Sequence, residues 1–138
     1  DDKGRVVLPA AYKRELGEGL ERQISVEFDP YEKCLNLYPM ETWAARIAHI
    51  KSKLNPNDPK QSKLLDKFYQ RFVKVPVAEN GRVNIPKSFM DGVGIVREVM
   101  FSGQGDRIRL WDVAEFNKAM MPDEDFGDLF QQFLGGAY

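Results

Sequence analysis

The chain of 138 residues contains two copies of one sequence pattern. Residues 1–9, DDKGRVVLP, match residues 78–86, AENGRVNIP, and Tyr12 then corresponds to Phe89. Self-similarity of this kind is typical of chains built from repeated structural units. The offset of this first block is 77 residues.

A second block follows in the same order in both copies. Residues 33–38, KCLNLY, match residues 106–111, DRIRLW, and Trp43 corresponds to Phe116. Two matching blocks in the same order predict two small modules of one fold. We therefore expect residues 1–39 and 78–112 to superpose, with Leu35 and Ile108 in equivalent elements.

The first block has the pattern of a strand, a turn and a second strand. Apolar residues alternate with other residues on both sides of Asn80-Gly81, at Val75, Val77, Val83 and Ile85. Such alternation is typical of half-buried strands, and Asn-Gly favours a tight hairpin turn that needs positive φ. Lys3-Gly4 takes the same place in the first copy, so its partner strand is expected before Asp1.

Helices and a hairpin are predicted after each first block. The prolines at 9 and 86 suit the first turn of short helices over 10–16 and 87–93. The second block predicts hairpins that pair 23–27 with 35–38 and 98–101 with 108–111. Their turns are expected at Asp29-Pro30 and at 103–105, which reads Gly-Gln-Gly.

Two amphipathic helices are predicted between the copies. Trp43, Ile47, Ile50 and Leu54 recur at the spacing of one helix face. A second helix begins at Pro59 with Asp58 as its N-cap. The opposite face of this second helix is basic, with Lys60, Lys63, Lys67 and Arg71. Two further helices are expected near residues 114–120 and 126–134.

These elements predict an α+β fold of two tandem hairpin-and-helix modules. We divide the chain into a first module with its helix at 1–54, a linking helix at 55–74, and a second module with C-terminal helices and an acidic tail at 75–138. A chain with two similar flanks per subunit can form head-to-tail contacts that close into a ring. The basic helix at 60–71 and the acidic tail are candidates for such a contact.

Charge is unevenly distributed along the chain. The formal net charge is −1. Residues 112–138 carry one base and six acids, whereas the other 111 residues carry 19 bases and 15 acids. An acidic tail thus masks a mildly basic body, although a solvated acidic terminus without function has the same composition.

The sequence offers little that could perform catalysis. His49 is the single histidine and Cys34 the single cysteine. We interpret His49 as a surface or packed side chain and Cys34 as a small hydrophobic one. No phosphate loop or metal-ligand spacing is present, and no apolar run reaches the length of a membrane span. We therefore expect a cytoplasmic protein that is not an enzyme, with no cofactor and no membrane partner.

The Asp1-x-x-x-Arg5 element has two interpretations. Across a tight hairpin these side chains can meet on one face, where an exposed ion pair contributes at most about 1 kcal/mol. Alternatively, the hairpin tip presents Lys3 and Arg5 to DNA phosphates and base edges, with Asp1 orienting Arg5. The residue pattern by itself leaves both interpretations open.

The paired segments at 1–9 and 80–86 resemble the AbrB-like, or SpoVT-AbrB, looped-hinge DNA-binding modules, and two such modules in one chain resemble the MraZ family. The resemblance implies a pseudo-two-fold β-barrel core, ring-shaped oligomers and nucleoid-associated repression of the division and cell-wall gene cluster. Its DNA partner would be double-stranded promoter DNA with repeated short boxes.

The family motif Asp-x-x-x-Arg maps onto Asp1 and Arg5. In the second copy, Ala78 replaces the aspartate and Asn80 the lysine, so that Arg82 alone is kept. The resemblance therefore supports DNA contact through the first copy more than through the second.

Two other classes of protein fit the same residues. One is an antitoxin-like AbrB relative that binds DNA and a toxin, which a separate hydrophobic tail would favour. The other is a structural ring protein without affinity for DNA, which the net charge of −1 permits.

Overall fold

The computed structural model describes residues 4–15 and 22–135 and has the predicted α+β class. Its strands are β1 (Arg5–Val7), β2 (Gln23–Phe28), β3 (Leu35–Pro39), β4 (Phe72–Pro76), β5 (Arg82–Asn84), β6 (Val99–Gly103) and β7 (Ile108–Asp112). Its helices are α1 (Ala10–Glu15), α2 (Met40–Lys53), α3 (Pro59–Gln70), α4 (Lys87–Gly92), α5 (Val113–Ala119) and α6 (Asp123–Leu134).

The strands form two antiparallel sheets that both mix the two copies. β1 and β5 form a two-stranded ribbon, and the larger sheet has the order β4-β2-β3-β7-β6. Strands of both modules share each sheet, so the sheets do not separate the modules. The division of the chain into modules at residues 54 and 74 therefore stays a prediction.

A pseudo-two-fold axis relates the two strands of the ribbon, one from each copy. Val6 lies opposite Val83, its own counterpart in the repeat. The Leu8 N–H donates to the Gly81 carbonyl at 3.0 Å, and the Ile85 N–H donates to the Gly4 carbonyl at 2.8 Å. Leu8 and Gly4 correspond to Ile85 and Gly81, so each copy completes the ladder of the other.

The larger sheet repeats the same symmetry at its centre. Asn36 of β3 lies opposite its counterpart Arg109 of β7. Leu35 and Ile108 are the first residues of β3 and β7, as predicted for equivalent elements. The two tandem modules are thus confirmed, whereas closure of the strands into a barrel goes beyond these two ladders and stays a prediction.

The strand before the Asn80-Gly81 turn has a different main partner from the predicted one. The turn forms as expected, with Gly81 at φ 85°. However, β4 pairs along its length with β2. Between β4 and the turn, Val77 bridges to Val83 and the Ala78 N–H donates to the Arg82 carbonyl at 2.9 Å. β5 pairs over its whole length with β1, so the predicted local hairpin is limited to the residues next to the turn and the longer pairing is between the copies.

One apolar core joins the ribbon to the larger sheet. The residues of β2, β3 and β7 that face the ribbon alternate along each strand, because successive side chains point to opposite faces of a sheet. They pack with the ribbon in a single cluster that includes Val6, Leu8, Ile24, Val26, Leu35, Leu37, Val83, Ile85, Ile108 and Leu110.

Helices cover the other face of the larger sheet. Trp43 of α2 is 1% exposed and stacks on Phe68 of α3, with ring centroids 5.8 Å apart. As predicted, Asp58 caps α3 by accepting a hydrogen bond from the Gln61 N–H at 3.2 Å, and Pro59 is its first residue. The tryptophans at 43 and 111 are buried, at 1% and 3% exposure.

We expect Gly4→Ala to destabilise the protein more than Gly105→Ala. Both glycines have positive φ, which costs other residues about 1–2 kcal/mol. A Cβ at Gly4 would also overlap the Ile85 carbonyl oxygen, whereas a Cβ at Gly105 would meet no atom within 4 Å. Urea unfolding of the two variants measures the difference. Equal losses would show that the close approach of Gly4 to the Ile85 carbonyl does not affect stability.

Candidate nucleic-acid interface

The ribbon exposes one face and buries the other. Both strands have the burial pattern exposed, buried, exposed. The buried residues are Val6 and Val83, at 5% and 1% exposure. The exposed residues, which we call the ribbon face, are Arg5, Val7, Arg82 and Asn84.

The register brings the two motif arginines onto this one face. Arg5 lies opposite Asn84, and Arg82 lies opposite Val7. Arg5 and Arg82 are therefore diagonal neighbours, a relation that spans about 7–8 Å in antiparallel pairs. The sequence marks these arginines 77 positions apart, and cross-copy pairing places them side by side.

Polar hydrogen bonds shape the turn that leads into Arg82. The Arg82 N–H donates to the Asn80 Oδ1 at 3.0 Å, and the Gly81 N–H donates to the Ala78 carbonyl at 2.8 Å. In the first copy, the predicted site residues Asp1 and Lys3 lie outside the described part of the chain. The proposed orientation of Arg5 by Asp1 therefore stays a prediction.

A buried carboxylate, that of Asp29, lies on the face of the larger sheet that is turned away from the ribbon. Asp29 is 5% exposed and accepts hydrogen bonds from the Asn36 amide at 2.9 Å and from Arg109 at 3.1 Å. It also accepts the backbone N–H groups of Tyr31 and Glu32, which closes the predicted turn at Asp29-Pro30. One side chain thus joins the strand pair β3 and β7 at its symmetry centre.

The surroundings of Asp29 lower the pKa of its carboxyl group. Burial alone raises this pKa, but hydrogen bonds from Asn36 and the two backbone N–H groups, together with the charge of Arg109, outweigh it. The carboxylate therefore stays charged in the folded protein under ordinary conditions, which a buried ion pair requires.

A second buried ion pair fixes α2 on the sheet. Glu27 is 2% exposed, and both of its carboxylate oxygens accept from Arg46, at 2.9 and 2.8 Å. Hydrogen bonding to Glu27 raises the pKa of Arg46 above its usual value, against the effect of burial, which acts in the opposite direction. This pair was not predicted from the sequence, although an acid inside the apolar strand β2 is a visible signal for it.

In the part of the chain that the structure describes, Cys34 and His49 have no hydrogen bond to each other. Cys34 is fully buried, and burial raises the pKa of its thiol to about 12, so it is a poor nucleophile. His49 lies exposed on α2. Within residues 4–15 and 22–135, no group of three histidine, cysteine or acidic side chains could hold a metal ion.

None of the helices in the described segments is long and apolar enough to cross a membrane.

The sequence profile of the MraZ protein family, whose description provisionally terms it antitoxin-like, matches residues 1–67 and 73–131. Three relatives carry the name transcriptional regulator MraZ. The relative from Phocaeicola vulgatus is 30% identical over 98% of this chain and 88% of its own length. The relative from Bacteroides fragilis is 29% identical over 97% and 85%, and the relative from Stenotrophomonas maltophilia is 31% identical over 93% and 88%.

We expect Asp29→Asn to weaken the dependence of stability on acidic pH. Folding lowers the pKa of Asp29, so its contribution is complete above the pKa of unfolded aspartate, near 3.9, and is lost as pH falls through the lower native pKa. Removing one partner of a buried ion pair should also cost about 3–5 kcal/mol.

Unfolding free energies measured from pH 6 to 2.5 test this expectation. Asp66→Asn changes an exposed carboxylate on α3 and is the control. The expectation is contradicted if Asp29→Asn and Asp66→Asn have the same pH profile.

Proposed function

Because the chain belongs to the MraZ family, we propose that it is a DNA-binding transcriptional regulator, not an enzyme, that uses the ribbon face to read promoter DNA. The single observation that carries this proposal is the placement of Arg5 and Arg82 on one exposed face of a two-stranded ribbon. A two-stranded β-ribbon fits the major groove of B-DNA.

The four side chains of the ribbon face suit base recognition. Arginine binds guanine O6 and N7 with two hydrogen bonds, and asparagine binds adenine N6 and N7 in the same manner. Arg5, Arg82 and Asn84 offer these contacts. Val7, which is 59% exposed, offers an apolar contact to a thymine methyl group.

The first copy would supply the larger share of the contact. Its sequence has Lys3 where the second copy has Asn80, and a lysine adds positive charge for contact with phosphate. Asp1 would orient Arg5, whereas the second copy has Ala78 at that position. We therefore assign Lys3 and Arg5 the principal role, Asp1 an orienting role and Arg82 a weaker one.

The acidic composition is compatible with this assignment because DNA would respond to the electrostatic field at the ribbon face and not to the net charge of the chain. A single ribbon face offers few contacts, so one subunit should bind weakly. Several ribbon faces in a ring would engage repeated boxes together, and this linkage raises affinity without new contacts. We propose this arrangement at the promoter of the division and cell-wall gene cluster, with repression on the nucleoid in the cytoplasm as the outcome.

The family's description as antitoxin-like favours a second candidate, a regulator that binds DNA together with a toxin. Both candidates share the ribbon face as the DNA-binding surface. They differ in whether a second protein is part of the complex, which co-expression with the neighbouring genes of its own operon would reveal.

We expect Arg5→Ala to abolish specific DNA binding and Arg82→Ala to weaken it less. Each variant removes a guanine-binding group, but only Arg5 belongs to the complete Asp-x-x-x-Arg motif. Titration of the operon's own promoter DNA at about 150 mM salt measures the effect. Arg97→Ala, at an exposed arginine between α4 and β6, is the matched control. Wild-type affinity in Arg5→Ala, or a greater loss in Arg82→Ala, would contradict the assignment.

We expect Lys3→Ala to weaken binding to all DNA sequences alike. A phosphate contact carries no base information, so its loss should lower the slope of log affinity against log salt by about one for each contact removed. Titrations of promoter and unrelated DNA at several salt concentrations give this slope, with Lys118→Ala as the control. A selective loss on promoter DNA would instead assign Lys3 to base recognition.

A further inference from the structure

A groove of about 540 Å³ lies between α2, α3 and the loop that joins β2 to β3. We call it the helix groove. Its two walls are helix stripes, formed by residues 46, 49, 50 and 53 of α2 and by residues 64, 67, 68 and 71 of α3 and its C-cap. Residues at this spacing share one face of a helix. The volume is typical of a site that encloses one small organic molecule, for which the range is about 300–1,000 Å³.

Half of the residues that line the helix groove are apolar. They are Pro30, Tyr31, Ile50, Leu54, Leu64 and Phe68. Leu64 is 57% exposed and Tyr31 is 94% exposed. The Tyr31 N–H donates to the Asp29 carboxylate at 2.9 Å, which fixes the loop that carries this exposed ring. Large apolar side chains that remain in contact with solvent around a concave site indicate a binding surface.

The exposed apolar surface of the groove is small for a protein partner. Leu64 and Tyr31 are exposed, whereas Ile50, Leu54 and Phe68 are half-buried. A stable interface between two proteins covers about 800 Å² on each partner. Two exposed side chains supply a small part of that area, so the groove suits a small molecule better than a protein surface.

Positive charge surrounds this apolar surface. The lining contains four lysines and arginines and one acid, Glu27. Both carboxylate oxygens of Glu27 accept from Arg46, so this pair is neutral as a whole. The other three cations are Lys53, Lys67 and Arg71, and none of them forms an ion pair within residues 4–15 and 22–135. The groove therefore favours an anion.

Lys67 and Arg71 can hold an anionic group together. They are four positions apart at the end of α3, a spacing at which side chains are neighbours. Arg71 donates to the Asp29 carbonyl at 3.0 Å, and its guanidinium lies 5.3 Å from the ring centroid of Phe28. Because a carbonyl is neutral, this hydrogen bond orients the guanidinium without neutralising it. Arginine held in this way is suited to bind a carboxylate.

We propose that the helix groove binds an amphiphile with one hydrocarbon chain and one carboxylate head. Lys67 and Arg71 bind the head, and the chain lies along Phe68, Ile50 and Leu64. At 1.5 Å per residue, Leu64 is about 10 Å from Arg71 along α3, so a chain anchored at the head covers the apolar lining. Burial of this chain against apolar side chains supplies affinity, and the cations select the sign of the head.

This site is separate from the one under the proposed function. The helices α2 and α3 cover the face of the larger sheet that is turned away from the ribbon. The proposal therefore rests on no part of DNA recognition.

Calorimetric titration with decanoate, below the concentration at which it forms micelles, tests the proposal. Acetate has the same head without the chain, and decyltrimethylammonium has the chain with a cationic head. We expect decanoate to bind saturably with one site per chain and acetate not to bind. Decyltrimethylammonium should bind at least about tenfold more weakly, because the three cations of the lining repel it.

Variants of the head site test the role of charge. We expect Lys67→Gln combined with Arg71→Gln to weaken decanoate binding roughly tenfold. Lys60→Gln combined with Lys63→Gln makes the same change of charge at exposed positions of α3 outside the groove, and this control should bind as the wild type does. Lys67 and Arg71 also complement the dipole at the C-terminal end of α3, so melting curves of all variants separate lost stability from lost binding.

Reversal of one charge gives a sharper test, because a damaged fold cannot mimic its result. Lys67→Glu should weaken the binding of decanoate and strengthen that of decyltrimethylammonium. For the chain, Leu64→Ser should weaken decanoate binding about tenfold, whereas Val96→Ser, at an exposed valine outside the groove, should not.

Absence of saturable decanoate binding, equal affinity for the two amphiphiles, or an equal loss in the Lys60 and Lys63 control would overturn the proposal. Two further results would assign the groove to another occupant and also contradict it. One is co-sedimentation with vesicles of anionic phospholipid, which indicates a membrane surface. The other is decanoate affinity that falls as the protein concentration rises, which indicates a second copy of the chain.

Arg5→Ala separates the two proposals. This variant should bind decanoate as the wild type does, whatever its effect on promoter DNA. Failure of DNA binding with intact decanoate binding contradicts the ribbon proposal alone, and the reverse result contradicts the groove proposal alone.

Discussion

Backbone hydrogen bonding between the two copies is the constraint on which the rest of the structure depends. Strands must satisfy their N–H and C=O groups, because leaving them unpaired in a core is costly. Here the Leu8 N–H is satisfied by Gly81 and the Ile85 N–H by Gly4. The same exchange aligns β3 with β7 in the larger sheet. Each module therefore completes the sheets of the other, and the position of the ribbon face follows from this exchange.

The symmetric backbone supports side chains that are not symmetric. Asn36 and Arg109 occupy equivalent positions at the centre of the larger sheet, yet both bind the single carboxylate of Asp29. The helices after each module differ likewise, because α3 is basic and packed whereas α6 is acidic and uncovered. The two copies thus share one backbone arrangement, whereas their different side chains give them different roles.

Much of this fold could be predicted from the repeat and from local patterns. The Asn80-Gly81 turn, the Asp58 cap and the paired hairpins follow from short-range backbone preferences, which a sequence displays directly. The partner of β4 could not be predicted, since a strand can pair with any strand of compatible register. The ion pair between Glu27 and Arg46 was missed for the same reason, because 19 residues and a helix separate its partners.

The candidate site was only partly visible in the sequence. The pattern identified Arg5 and Arg82 as candidates, but their placement on one face depends on the register of β1 and β5. That register is a property of the assembled core, in which Val6 and Val83 share one buried side of the ribbon. The second copy, assigned a minor role from its altered motif, nevertheless contributes half of that face.

The exchange of strands between copies has a consequence for the nascent chain on the ribosome. β1 leaves the ribosome before its partner β5, which is synthesised about 77 residues later. At about 5–20 residues per second, β1 waits roughly 4–15 seconds for a native partner. An unpaired strand edge can join another chain during that interval. Its length of three residues and the charge of Arg5 limit this hazard, since short and charged edges are poor templates for aggregation.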